Sequence, residues 1–348
     1  MRTSIQILLL VVAVFLLSGC TRAGGRSDTG AKVKAVTLDA RRAPSAAMLS
    51  ALKETGITHI ALVQFGFQRD ATVPGIRMQT DGNWFSESDH GARELAQQAE
   101  SLGMRIILKP HLWLGRYNTA GQSRSTIGYD SDEEWKVWEA QYRALIMHYA
   151  MLAEEIRAEM LVVGTELARS AKERPEYWRD LIANVRRVYH GQLTYAANWW
   201  EEYEHITFWD ALDYIGIQAY FELSLDPDPD AAMLRAGWEP HKKAIKALAT
   251  RSGKPVLFTE IGYRNVHDAA AKPWRWPSRD EMEETDPDDA LQAELYEAFF
   301  QSVWHEAWFG GVILWKYHSD NDRRRNFLGF SPQGNPAEDV IRFWFTRK

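Results

Sequence analysis

Two glutamates stand where this chain could do chemistry. The runs MLVVGTE and KPVLFTE end on Glu166 and Glu260, each preceded by a threonine. Both runs are short, apolar and rich in β-branched residues, the pattern of a strand buried on both faces of a parallel sheet. A glutamate closing such a strand sits where sheet gives way to loop, the edge at which parallel α/β proteins carry their reacting groups. Paired carboxyls can cleave a glycosidic bond: one attacks the anomeric carbon and the other protonates the departing oxygen, about 5 to 5.5 Å apart when configuration is retained. The two must differ in charge at one pH, a difference that burial and neighbouring charges impose. A single strand-end glutamate also serves as a helix cap or an ion-pair partner. Two at matching positions favour the chemical reading.

The elements that must hold them alternate along the chain. Strands are predicted at Val33–Leu38, Thr58–Gln64, Arg105–Leu108, Met160–Gly164, Leu193–Ala197, Tyr214–Gln218, Val256–Phe258 and Val312–Leu314. Helical periodicity falls between them, over Ala46–Thr55, Ala92–Leu102, Glu133–Ile156, Tyr177–Tyr189, Ala232–Thr250, Ala290–Trp308 and finally Ala337–Phe345. The stretch carrying Pro74, Gly75 and Gly82 reads as irregular. Eight strand–helix units with right-handed crossovers predict an α/β fold, a single (β/α)8 TIM barrel. No G-x-G-x-x-G or P-loop follows the first strand, as a nucleotide-binding open sheet would require. On such a barrel Glu166 ends the fourth strand and Glu260 the seventh, facing one another across the C-terminal mouth.

The other strand ends supply candidates for gripping a substrate. Lys109 and His111 in KPHLW end the third strand, next to Glu166, where either would bind hydroxyls or tune the acid. Asn198 ends the fifth with both a donor and an acceptor. Tyr220 ends the sixth beside the seventh, so its hydroxyl is expected to donate to Glu260. Trp315 ends the eighth and is the expected platform under the reacting sugar, with Trp113 and Trp199 flanking the cleft.

Composition narrows the class. With 47 acidic against 41 basic side chains, the net charge of −6 argues against nucleic acid as a partner. Fifteen tryptophans in 348 residues offer flat apolar faces with one N–H at the edge, suited to stacking on sugar rings. The acidic runs Leu225–Asp230 and Glu284–Asp289 lack EF-hand spacing and read as solvated loop tips, and Arg323–Arg325 as a locally paired loop. H-E-x-x-H and G-x-S-x-G are absent, and no metal or cofactor is expected.

VVGTEL around Glu166, KPHLW around His111, TYAANWW around Asn198 and TEIGY around Glu260 resemble glycoside hydrolase family 113, within the large clan of retaining (β/α)8 glycosidases. The similarity spans Val33 to Phe345. The resemblance implies Glu166 as acid/base, Glu260 as nucleophile and an endo-β-1,4-mannanase acting without cofactor on a β-linked polysaccharide or oligosaccharide. Another β-glycan, short oligosaccharides attacked from the end, and a non-catalytic glycan-binding lipoprotein are the alternatives. Most of the clan carries Asn before the acid/base, contacting the sugar 2-hydroxyl; here Thr165 stands there, so another residue must supply that contact.

The amino terminus reads as an export signal: Arg2, an apolar run from Ile7 to Leu17, then LSGC ending on Cys20, the only cysteine. LSGC resembles a bacterial lipobox, which implies removal of residues 1–19, lipid attachment at Cys20 and anchoring at a membrane, periplasmic or at the cell surface. Residues 20–32, rich in Gly and small polar side chains, read as a flexible tether ahead of a monomeric domain over 33–348.

Overall fold

The computed structural model describes residues 31–115, 121–276, 278, 280–281, 285–320 and 328–347. The readings placed on the export signal, Cys20 and most of the tether, on residue 284, and on Arg323–Arg325 lie outside them. The described residues from Lys32 onward fall in one compact unit.

Eight parallel strands close a barrel: β1 (Val33–Asp39), β2 (His59–Leu62), β5 (Arg105–Leu108), β7 (Met160–Thr165), β8 (Gln192–Asn198), β9 (Ile215–Gln218), β10 (Val256–Ile261) and β11 (Phe309–His318). They follow one another round the ring in chain order, and β11 pairs with β1, Val33 opposite Gly311, to complete it. The (β/α)8 architecture expected from the alternation is the one observed. Successive side chains on a strand point to opposite faces, so each barrel strand serves two cores. Inside the barrel sit Val33, Ala35, Ala61, Ile107, Met160, Val162, Ala196, Leu257 and Ile313. Their neighbours, such as Val36, Ile60, Ile106, Leu161, Leu193, Ile217 and Phe258, pack outward against the helices.

The helical layer comprises α1 (Ala46–Glu54), α2 (Asp89–Ser101), α3 (Asp132–Glu155), α4 (Ala168–Glu173), α5 (Pro175–Arg186), α6 (Ala231–Ser252), α7 (Asp289–Val303) and α8 (Pro336–Thr346). Their starts follow capping chemistry. The side chains of Ser88, Ser131, Asp230 and Asp288 accept from backbone amides three residues on, and Pro175 opens α5 where no amide is needed.

One expectation fails. The stretch after β2 is not irregular: β3 (Phe65–Asp70) and β4 (Val73–Met78) form a hairpin, and β6 (His111–Leu114) pairs with β3 in a second sheet of order β4-β3-β6. Pro74 and Gly75 disguise β4, which lies at the sheet edge, where a missing amide donor is tolerated. Buried Gln68 ties the hairpin down, donating to Tyr129 Oη (2.9 Å) and accepting from Trp138 Nε1 (3.0 Å). This small sheet raises one wall above the barrel mouth and carries His111 and Trp113 on it.

Candidate active site

The inward-facing parity of the barrel decides which side chains meet at its mouth. Counting in twos from interior Ile107, Ala196, Leu257 and Ile313 reaches Lys109, Asn198, Thr259 and Trp315. Glu166 follows β7 with φ +53°, a left-handed turn uncommon for glutamate, and its amide donates to Ala196 O (2.8 Å). Glu260 lies within β10, 4% exposed. Both carboxylates line a cleft of about 1010 Å3 together with Asn198, Trp199, Tyr220 and Trp315. Further aromatics edge it: Phe65, Phe67, Trp84 and Trp113 on the side of the first three barrel strands, Trp200, Trp274, Trp276 and Phe330 elsewhere on the rim.

Two side chains bond Glu260 and a third stands close by. Lys109 Nζ lies 2.5 Å from Oε1, Tyr220 Oη donates to Oε2 at 2.8 Å, and His111 Nε2 is 3.7 Å from Oε1. Burial alone would push this carboxyl up, but the Lys109 ammonium, with Arg124 behind it, more than offsets that, and Glu260 is held below the ordinary glutamate value. Burial and the nearby Arg124 and Lys109 charges keep the His111 imidazole well below its usual value, hence neutral. Burial beside Glu260 raises the Tyr220 phenol well above its usual value, so it stays a donor.

Lys109 and His111 were expected beside Glu166; they sit against Glu260 instead. Lys109 continues the inward face of β5, so its side chain crosses the barrel rather than running along the rim to β7. Its three N–H donors go to Gln218 Oε1 (2.9 Å), Thr259 O (2.8 Å) and Glu260. It is fully buried, which leaves nothing with which to bind a sugar hydroxyl. His111 lies on β6, stacked parallel to the Trp315 ring at 6.2 Å. Lys316 Nζ lies 5.1 Å from the same ring, and the Trp315–Lys316 peptide is cis.

The partner of Glu166 is Arg124, which the sequence reading did not single out. Its Nε and Nη2 both bond Oε2, at 3.0 and 2.6 Å. Arg124 lies in a one-turn helix (Arg124–Thr126) after β6, inside a polar Gly/Ser/Thr loop whose composition signals nothing. Gln218, at the inward end of β9, spans the pair: its Oε1 accepts from Lys109 and from Thr259 Oγ1 (3.2 Å), and its Nε2 lies 3.5 Å from Glu166 Oε1. Extending the strand-end rule to every barrel strand would have found it. Thr165 is buried with its hydroxyl unpartnered, facing no cleft. Asn198 lines the cleft as an amide, its Nδ2 donating to Glu202 Oε2 at 2.9 Å. On the opposite wall Asp39 accepts from Lys316 (2.7 Å), an ion pair within the cleft lining.

A (β/α)8 barrel with facing strand-end carboxylates in an aromatic cleft has the build of the barrel glycoside hydrolases. Residues 34–328 match the model of Glycoside Hydrolase Family 113, and the chain belongs to that family. It is similar to a family 113 β-1,4-mannanase solved as a complex, at 26% identity and TM-score 0.76, covering 91% of this chain and 99% of that one. It is equally similar to the family 113 β-mannanase AaManA from Alicyclobacillus acidocaldarius in complex with ManMIm: 26% identity, TM-score 0.76, 90% and 97% covered. A fungal β-1,4-galactanase, 13% identical with TM-score 0.54 over 85% of this chain and 90% of that one, shares the fold. No curated protein sequence matches the chain.

Proposed function

We propose that this glycoside hydrolase is a retaining endo-β-1,4-mannanase acting on mannan or glucomannan, with Glu260 as nucleophile and Glu166 as acid/base. One observation carries the division of labour: Glu260 is buried, held ionised by Lys109 and hydrogen-bonded by Tyr220, whereas Glu166 is on the more open side, with Arg124 on Oε2 alone and Oε1 turned toward Gln218. An ionised, desolvated carboxylate held in place suits attack on the anomeric carbon. In the first step a Glu260 oxygen bonds to that carbon while the glycosidic C–O bond breaks, and protonated Glu166 gives its proton to the leaving oxygen. In the second, Glu166, now a carboxylate, takes a proton from water, whose oxygen displaces Glu260 and restores both groups.

Trp315 beneath the cleavage point and aromatics on both sides of it support binding several sugar rings in a row, as internal cleavage requires. The mannan preference is supported by family membership and by the β-mannanases among its structural relatives. The proposal includes export and anchoring through lipidated Cys20, supported by the apolar run Ile7–Leu17 and LSGC; loss of radiolabelled palmitate from Cys20→Ala tests it.

Product analysis tests the substrate. The full chain incubated with mannan, glucomannan, xylan and cellulose should release internal mannan fragments, and Glu260→Ala should release none. Mannan left whole while another β-glycan is cut would overturn the substrate assignment; binding to mannan without cleavage of any glycan would overturn the enzymatic one.

A further inference from the structure

Behind the cleft wall a third carboxylate bonds β8 at two residues and, through one of them, reaches the turn that carries Glu166. Glu202, 6% exposed in the Trp-rich loop after β8, accepts from Tyr195 Oη at 2.5 Å through Oε1. Its Oε2 accepts from the Asn198 amide N–H (2.8 Å) and from Asn198 Nδ2 (2.9 Å). The Tyr195 hydroxyl in turn accepts from Leu167 N at 2.7 Å. Leu167 is the residue after Glu166, so the chain Glu202, Tyr195, Leu167 fixes the left-handed turn on which Glu166 stands. Tyr195 has no room to drift, because its ring and that of Trp178 pack against Gly164, where a Cβ would lie 2.6 Å from either. From these contacts we infer that Glu202 is a positioning residue for the proposed reaction: its ionised form holds both the acid/base turn and the Asn198 amide in their working geometry.

Loop closure alone does not account for a carboxylate here. Burying a charge is costly, and a neutral amide or hydroxyl would close the same loop more cheaply. Three donors converge on Glu202 and, among the described residues, none of its contacts is to a cation, so the site needs an acceptor-only group. Protonation would turn one oxygen into a donor facing a donor. The charged group on the neighbouring strand end is Glu166, itself paired with Arg124. Burial pushes the Glu202 carboxyl up to about 7, against the pull of its hydrogen bonds, so the charge is held only marginally near neutrality. Between the ordinary glutamate value and about 7 the folded protein binds the extra proton, so ionised Glu202 destabilises the fold increasingly as pH rises through that window.

This inference rests on Glu166 being the acid/base, and the test separates the two. Glu202→Gln and Tyr195→Phe are made in the full chain, and kcat/KM is followed from pH 5 to pH 9 on whichever glycan the wild type cuts. A wild type that cuts none fails the functional reading before any variant is compared. At pH 8, Glu202→Gln should be about 10- to 100-fold below wild type, the scale of a small misplacement of a reacting group. That ratio should shrink toward unity near pH 5, where wild-type Glu202 is itself protonated, and the Tm difference between Glu202→Gln and wild type should move in the variant's favour as pH rises from 5 to 8. Tyr195→Phe, which spares the charge and the Asn198 contacts, should lose kcat with KM nearly unchanged. Activity within twofold of wild type at pH 8, or a loss constant across pH with a lowered Tm, overturns the inference. Should Glu202→Gln fail to fold, wild-type kcat in Tyr195→Phe overturns it alone.

Discussion

Replacing Lys109 with methionine removes the ammonium that Glu260 depends on while keeping most of the side-chain volume. Among the described residues no other cation bonds Glu260: Lys109 reaches it from across the barrel at 2.5 Å, and its other two donors go to Gln218 and Thr259. An opposite charge at such range lowers a carboxyl by about 1 to 3 pKa units, and here it opposes burial that pushes the other way. Without it Glu260 rises, and since the nucleophile must be ionised, activity disappears from the acid side upward. The ratio of Lys109→Met to wild-type kcat/KM should therefore level off at high pH and fall about tenfold per pH unit below the raised value. At its lower plateau the ratio should reach about 10- to 1000-fold below the high-pH level. Stability should fall too, because breaking one side of a buried ion pair costs about 3 to 5 kcal/mol, or roughly 5 to 8 °C of Tm for a barrel of this size. Held-down Glu260 contributes stability above the ordinary glutamate value and loses it as pH falls through its folded value, so the wild-type advantage should shrink in acid. A pH–rate profile on the folded variant and thermal melts at several pH values measure both. A folded Lys109→Met whose ratio to wild type is flat across the acid range would refute the assignment of Lys109 as the group that keeps Glu260 ionised.

Tyr220→Phe deletes one hydrogen bond to the same carboxylate, worth about 1.5 to 3 kcal/mol for a charged acceptor, so kcat/KM should fall by about 10- to 100-fold, more in acid than in base. Trp315→Ala should lower kcat/KM by at least about tenfold, because it removes the stacking face and frees the His111 ring packed against it; steady-state kinetics on mannan-derived oligosaccharides check this. Burial raises Glu202 from 4.5 to about 7, so its ionised form costs about 3 kcal/mol above that pH; melts of Glu202→Gln and wild type should diverge across that window and converge near pH 4.

The barrel was legible because buried parallel strands write themselves as short β-branched runs at regular intervals, and Glu166, Glu260, Asn198, Tyr220 and Trp315 were legible as the residues closing them. What stayed hidden has physical causes. Lys109 was paired with the wrong glutamate because neighbourhood along the rim was assumed, while strand parity sends its side chain through the lumen to the far wall. β4 was missed because Pro74 and Gly75 depress strand propensity at an edge where the sheet tolerates them. Arg124 lies in a loop of ordinary polar composition, and its pairing with Glu166 exists only once the loop folds over the mouth. Glu202 stands four residues beyond Asn198 in a run noted for its tryptophans, and nothing in the local pattern shows that Tyr195 will bond it and link it to Leu167. Side chains that end strands can be found from periodicity; those that reach the site from loops or across the barrel cannot.

The central claim is double displacement at Glu260, and the stereochemistry of the first product tests it most directly. Proton NMR of the anomeric signals, recorded while the full chain cleaves a β-mannan oligosaccharide, should show the β-anomer forming first and the α-anomer appearing only by later mutarotation. First appearance of the α-anomer would mean single displacement by water, and would contradict a nucleophilic Glu260.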